Sequence, residues 1–306
     1  MSCSLVGSEM CIRDSHWIAD RQSGPLLLRF GTEEQRQKYL PGICRGESYF
    51  SIGMSEPDTG SDLASVRTSA ILEGDNYRVN GTKIWTTDAH RNDYIICLVR
   101  TQPAEENRHA GLSQIIIDLK RDGAKVRPIK NMAGGEDFNE VVFEDVVVPK
   151  DRIVGEAGNG WAQVTSELAY ERSGPERFLS AFRVFVELVR FCGPEPTEYQ
   201  ATVIGRIASH IMTLRRMSIS VAGMLESGKD VVVEAALVKE LGNNFEKLLP
   251  ELARVVGSDG FSDFSRDGDL FRRTFEDTML LSPSFTLRGG TREILRGVIA
   301  RGLGLR

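Results

Sequence analysis

The spacing of apolar residues changes twice along this chain, and that change limits what the chain can fold into. From His16 to Tyr39 they recur at helical intervals. From Ser48 to about Ile153 they alternate, the period of a half-buried strand. From Asn159 onward the helical interval returns. The order predicts an α+β chain: a helical remnant over 16–47, a central antiparallel β-barrel or sandwich over 48–153, and a helical bundle over 154–306. Met1 to Ser15 fits neither period. It lacks the basic start and apolar core of a secretory signal, so it reads as a non-native leader outside the fold.

Local signals refine this outline. Thr32-Glu33-Glu34-Gln35 reads as a capping box, and Leu40-Pro41-Gly42 as the end of that helix. Tyr77 to Trp85 reads as a hairpin turning at Asn80-Gly81. Tyr94–Val99, Ser113–Leu119 and Glu140–Val148 read as further strands, with turns at Gly74-Asp75 and Asp122-Gly123. In the last part, helices are expected over Leu179–Phe191, Tyr199–Leu225, Val231–Val256 and Arg292–Arg301. Trp161, Val164, Leu168 and Glu171 share one helical stripe.

The formal net charge of -5, with both signs interspersed, excludes a basic face for nucleic acid and argues against unaided binding to an anionic membrane. No apolar run reaches the ~18 residues of a membrane-spanning helix. Five cysteines, odd in number and widely spaced, fit a reducing compartment, and neither they nor the four scattered histidines form a metal set. The expected location is the cytoplasm, or the mitochondrial matrix in a eukaryote.

Gly53-Met54-Ser55-Glu56-Pro57-Asp58-Thr59-Gly60-Ser61-Asp62 packs small and hydroxyl residues behind a strand-like run. Physically it is either a loop whose N–H groups meet a planar or anionic ligand, or a polar turn with a helix cap at Ser61 or Asp62. The segment resembles the Thr/Ser-Glu-Pro-x-x-Gly-Ser-Asp signature of the acyl-CoA dehydrogenase family. Three other stretches resemble that family in the same order. They are Phe30 to Gln35 with Tyr39-Leu40-Pro41 and Gly46-Glu47, then Asn80-Gly81-Thr82-Lys83-Ile84-Trp85-Thr86-Thr87, then Gly290-Thr291-Arg292-Glu293-Ile294. The resemblance runs from about residue 17 to 306.

It implies an N-terminal helical domain, a β-domain and a four-helix bundle, with FAD between the last two. It implies that Met54 and Ser55 meet the flavin ring, that Trp85 packs against it, that Thr87 reaches N5, and that Thr291 lies at the cofactor. Ser61 is implied at the flavin or pantetheine, and Arg172 at the substrate. By itself, Trp85 reads more commonly as a core aromatic in a hairpin. The implied reaction is α,β-dehydrogenation of a fatty-acyl-CoA in β-oxidation, giving the trans-2-enoyl-CoA. Electrons pass to an electron-transfer flavoprotein, and the enzyme associates as a homotetramer, a dimer of dimers.

That reaction needs a carboxylate base, best placed in an apolar pocket, and donors for the thioester oxygen. Many members carry the base directly before the final Gly-Thr pair, where this chain has Gly289; only its N–H remains to polarise the thioester. Others carry it on the bundle before an Arg, which Glu171-Arg172 matches, so the resemblance points to Glu171. The plain reading of Glu171 is a surface residue paired with a neighbouring cation. Two further segments depart from the family. Its Arg-x-x-Phe-Gly corresponds to Val189, Cys192 and Gly193, and its Gly-Gly-x-Gly-Tyr to Gly257-Ser258-Asp259-Gly260-Phe261. Both serve the pyrophosphate and adenosine end of FAD. A flavin-poor partner subunit of a heteromeric dehydrogenase, and a flavin oxidase or monooxygenase of the same fold, are the competing readings.

Overall fold

The computed structural model describes residues 17–103, 106–257 and 266–305; the Met1–Ser15 leader lies outside them. The chain divides into two compact units, 1–167 and 168–306.

The first unit opens with a turn of π-helix (Ala19–Ser23) running into α1 (Gly24–Phe30) and α2 (Glu33–Cys44). Thr32 caps α2 as the sequence predicts: its Oγ1 accepts from Gln35 N at 3.3 Å, and Gln35 Oε1 accepts from Thr32 N at 3.1 Å. The helix does not stop at Pro41, which lies inside its last turn. Proline this far along loses one hydrogen bond but still allows a further turn.

Seven strands follow: β1 (Phe50–Gly53), β2 (Ser69–Glu73), β3 (Asn76–Thr87), β4 (Tyr94–Arg100), β5 (Leu112–Asp118), β6 (Lys125–Ile129) and β7 (Phe138–Pro149). They form one sheet in the order β1-β4-β2-β3-β7-β6, with β5 also paired to β4. The sheet is mixed, which corrects the purely antiparallel expectation: β1 runs parallel to β4, Phe50 facing Tyr94 and Gly53 facing Cys97. The β2–β3 hairpin between them returns the chain in its original direction. The alternation in the sequence reports one buried face but not strand direction. β4 and β5 are buried on both faces, hence their unbroken apolar runs. Ile95, Cys97, Ile115 and Ile117 join Val79, Val141 and Phe143 on one side. Ile96 and Ile116 meet Leu27, Tyr39 and Phe50 on the other.

The Asn80-Gly81 turn is also corrected: β3 passes straight through it. The hairpin turns earlier, where Glu73 pairs with Asn76. Asn80 exchanges hydrogen bonds with Asp145 across the sheet, at 3.1 and 2.9 Å. Gly81 lies against Thr68, whose Oγ1 would stand 2.5 Å from any Cβ. Two register shifts interrupt the β3–β7 ladder. Between Val79 and Gly81 the extra residue is on β7, where Asp145 has φ 51°; between Lys83 and Thr86 it is on β3, where Trp85 has φ 60°.

Helix α3 (Gly160–Ser173) crosses from the first unit into the second. The second unit then contains α4 (Phe182–Cys192), α5 (Glu198–Glu226), α6 (Val232–Val256), α7 (Arg266–Phe285) and α8 (Arg292–Gly302). α4 starts three residues later than the sequence pattern predicts. A break at Gly174 and a short 3₁₀ turn, Pro175–Arg177, precede it. α7 was not expected; its Phe271, Phe275 and Phe285 join Leu188, Ile207, Phe245 and Leu249 in the bundle core. Among the described residues no helix is long and apolar enough to cross a membrane.

Candidate active site

Two groups of candidate residues emerge, one in each unit. In the first, the loop after β1 is tied to β3 by a buried ion pair that the sequence did not reveal. Lys83, fully buried, donates to Glu56 Oε1 at 2.8 Å and to the Met54 carbonyl at 3.1 Å. Glu56 also accepts from Thr68 N at 2.9 Å and Arg67 N at 2.7 Å. Burial works to raise the Glu56 carboxyl, but Lys83 and the two N–H groups outweigh it and hold it below the usual carboxylate range. The two motifs read separately in the sequence therefore contribute the two halves of one ion pair. Their opposite charges inside otherwise small or apolar patterns were the available signal.

That pair fixes Met54 and Ser55 beside the bulge in β3, where Ile84 N donates to Ser55 O at 2.9 Å. Gly53 permits the close approach, since a Cβ there would stand 2.8 Å from Cys97 Sγ. Burial pushes the Cys97 thiol up to about 12, which keeps it protonated and inert. The bulge turns Trp85 out of the sheet. The residue is 57% exposed, and among the described aromatic rings it meets the edge of Phe138, at 6.2 Å between centroids. Thr87, half-buried, follows on the same strand and accepts from Ser51 Oγ at 2.8 Å through its carbonyl. A large aromatic held out of the core, beside a loop pinned by its own backbone, suits a planar ring ligand. These residues fit a flavin. Ser61 is exposed beyond the Glu56–Thr59 turn and is not tied to Met54 or Ser55.

In the second unit, the break in the helix at Gly174 folds Arg177 back onto Glu171. Arg177, 1% exposed, donates Nη2 to Glu171 Oε1 and Nε to the Glu171 carbonyl at 3.3 Å. The expected apolar pocket around Glu171 is thus replaced by a charged one. One partner, Arg177, lies six residues on past the Gly174-Pro175 break, and Lys239 comes in from α6. Gly289 has φ 68°, and a Cβ on it would stand 3.1 Å from Glu171 Oε1, 3.5 Å from Lys239 Cε and 3.7 Å from Arg177 Nε. Glu171 Oε2 accepts no hydrogen bond from the described residues.

Lys239, fully buried, donates to Asn243 Oδ1 and to Phe285 O at 3.1 Å. Burial first, then Arg177 and Arg288, pull its ammonium down to about 7. Arg288 meets Glu246 at 3.3 Å. Arg172 donates Nε to Gly289 O at 3.0 Å; burial lowers its guanidinium, with Glu171 working against that and Arg177 with it. Thr291 is the N-cap of α8; the backbone there, then the Thr291 side chain, holds Glu293 below the usual carboxylate range. Val189 and Cys192 occupy the last turn of α4, capped by Gly193 at φ 68°. Residues 258–261 of the second departing segment lie outside the described residues. Among the described residues, no cluster of histidine, cysteine or acidic side chains has a metal-binding arrangement.

Residues 6–47 match the acyl-CoA dehydrogenase N-terminal domain and residues 51–146 its middle domain. The chain belongs to the acyl-CoA dehydrogenase family, a class of oxidoreductases. It is 34% identical over 92% of its length to acyl-CoA dehydrogenase IpdE1 of Mycobacterium tuberculosis and covers 73% of that protein. Among solved structures it resembles the steroid ACAD Tcur3481-Tcur3483, at 28% identity with a TM-score of 0.83, over 95% of this chain and 77% of that one. It also resembles the ChsE4-ChsE5 complex of Mycobacterium tuberculosis, at 30% identity and a TM-score of 0.80, over 95% and 77%.

Proposed function

We propose that this chain binds FAD and acyl-CoA and dehydrogenates the thioester across its α and β carbons, giving the trans-2-enoyl-CoA. Met54, Ser55, Trp85 and Thr87 would hold the flavin, which when bound supplies the hydride acceptor. Glu171 Oε2 takes the α-proton, and the Gly289 N–H donates to the thioester oxygen as enolate charge develops. One observation carries the assignment. The position vacant of a side chain at Gly289 opens onto the Glu171 carboxylate, so either residue number would deliver a carboxylate to the same place. Arg177 holds Oε1 and leaves Oε2 to the substrate. An electron-transfer flavoprotein as acceptor, self-association through the bundle and a reducing compartment belong to the same proposal.

Glu171→Gln keeps size and removes the basic oxygen. Flavin reduction by a good substrate should slow by at least about a hundredfold, with FAD content unchanged, because general-base catalysis is worth about 10²–10⁴-fold. Reduction within a few-fold of wild type would assign the proton to another group.

A second reading has specific support: the names of both solved relatives pair two different chains. In that reading this chain is one subunit of a heteromeric dehydrogenase. Light scattering on the purified chain distinguishes the two, since a flavin-loaded homo-oligomer removes the need for a second gene product.

A further inference from the structure

Lys239 is a buried cation to which the proposed reaction gives no task. It lies fully buried on α6, and its ammonium bonds two neutral oxygens, Asn243 Oδ1 and, at 3.1 Å, Phe285 O. Lysine is seldom buried this way, because taking its charge out of water is costly and a methionine would fill the space without that cost. What the side chain touches gives the reason for keeping it. Phe285 is the last residue of α7, so its carbonyl is among those with no donor inside the helix. From there a short strap, 286–290, runs to Thr291 at the start of α8. Gly289 and Gly290 in the strap have φ 68° and 103°, the left-handed region. Lys239 meets the strap twice. Its ammonium takes the carbonyl where the strap begins. Its Cε stands 3.5 Å from where a Cβ on Gly289 would lie, on the side that also faces Glu171 Oε1.

We propose that Lys239 is a positioning residue for the Gly289 N–H: by gripping the Phe285 carbonyl and packing beneath Gly289, it aims that N–H at the thioester oxygen. This rests on the reading of Glu171 and Gly289 as the place of reaction. A group that only capped α7 would need the ammonium alone; the stem beneath Gly289 links it to the reacting end. Charge-assisted hydrogen bonds are roughly twice as strong as neutral ones, so the grip weakens when Lys239 gives up its proton. Its ammonium is held at about 7, so it is charged below that pH and neutral above it. The charges facing it are Arg177 from the turn after α3, Arg288 from the strap, Glu246 from α6 and Glu171 from α3.

The test reads the bound substrate as well as the rate. Full-length, FAD-loaded protein carrying Glu171→Gln is given the tightest binder among butanoyl-, octanoyl- and hexadecanoyl-CoA, labelled with ¹³C at the thioester carbonyl. Difference infrared spectroscopy should show the carbonyl stretch shifted down from its value in water. Adding Lys239→Met, which keeps the stem, should remove at least about half of that shift, with FAD content and acyl-CoA affinity within about threefold. Lys239→Arg should keep most of it. Raising the pH from 6 to 9 should weaken the shift where Lys239 is present and leave it alone in Lys239→Met. With Glu171 intact, Lys239→Met should slow flavin reduction at least about tenfold and leave KM within about threefold. A shift that ignores both Lys239→Met and pH refutes the proposal and leaves the dehydrogenase reading intact; the pH series decides this even if the variants do not fold. A Lys239→Met protein that loses FAD or acyl-CoA binding along with the shift refutes it too, since the role is then structural. An unshifted carbonyl in the starting protein, or failure of every acyl-CoA to bind, removes the reading of Gly289 itself.

Discussion

Replacing Lys83 with methionine keeps the buried stem and removes only the ammonium. Glu56 then keeps its bonds from Arg67 N and Thr68 N but loses its counter-ion inside the sheet. Removing one partner of a buried pair typically costs 3–5 kcal/mol, roughly, because an uncompensated charge remains. No cavity adds to that, and the lost bond to the Met54 carbonyl adds about 1 kcal/mol. Urea unfolding followed by far-ultraviolet circular dichroism should therefore register a loss of about 4–6 kcal/mol at pH 7. The pH dependence tests the cause. In the wild type the Glu56 carboxyl lies below its unfolded value, so its stabilisation is present above the ordinary carboxylate range and is lost as pH falls. Without Lys83, burial dominates and protonation relieves the native state. The gap between the two proteins should therefore narrow from pH 7 toward pH 5. Adding Glu56→Gln should recover most of the loss, because the amide oxygen still accepts a backbone N–H. A loss below about 1 kcal/mol, or a gap that ignores pH, would refute the account of this pair.

Other perturbations are simpler to read. Lys239 is held at about 7 in the folded chain, so between pH 7 and 9 the unfolded chain binds more protons and stability rises with pH. Against Lys239→Met the wild type should gain on the order of 2 kcal/mol over that interval, measured by urea unfolding at each pH; a flat difference would mean Lys239 is charged throughout. Thr32→Ala should lose about 1 kcal/mol by chemical denaturation. Gln35→Ala should lose more, about 2–5 kcal/mol, since Gln35 Nε2 also serves the carbonyls of Asp151 at 2.7 Å and Ile153 at 2.6 Å.

What the sequence made legible was local. The Thr32–Gln35 box needs only three residues of spacing, and it is present as read. The period changes located helices and strands because burial sets period directly. The failures were non-local. Asn80-Gly81 carries the strongest short-range turn signal, yet Asp145, 65 residues away, holds Asn80 in a strand. β6 is mostly exposed and contains Pro128, so it has little alternation to detect. Around Glu171 the stripe of apolar neighbours was real, but its side chain faces Arg177 after the break at Gly174. The signal was there to read, because Gly174-Pro175 breaks the helix between Glu171 and Arg177, six residues on; the approach of Lys239 to Gly289 was not, being set by packing across the bundle.

The two bulges between β3 and β7 cancel. One adds a residue to β7 at Asp145, the other adds one to β3 at Trp85, and the strands begin and end in step, Asn76 opposite Pro149 and Thr87 opposite Phe138. The ladder therefore constrains inheritance in a particular way. A relative that drops one inserted residue must drop its counterpart on the neighbouring strand, or shift Thr86 and Thr87 out of step with β7. Lineages of this sheet should gain or lose the two positions together. Between such events, the side chain at 85 is free to change identity without disturbing the pairing around it.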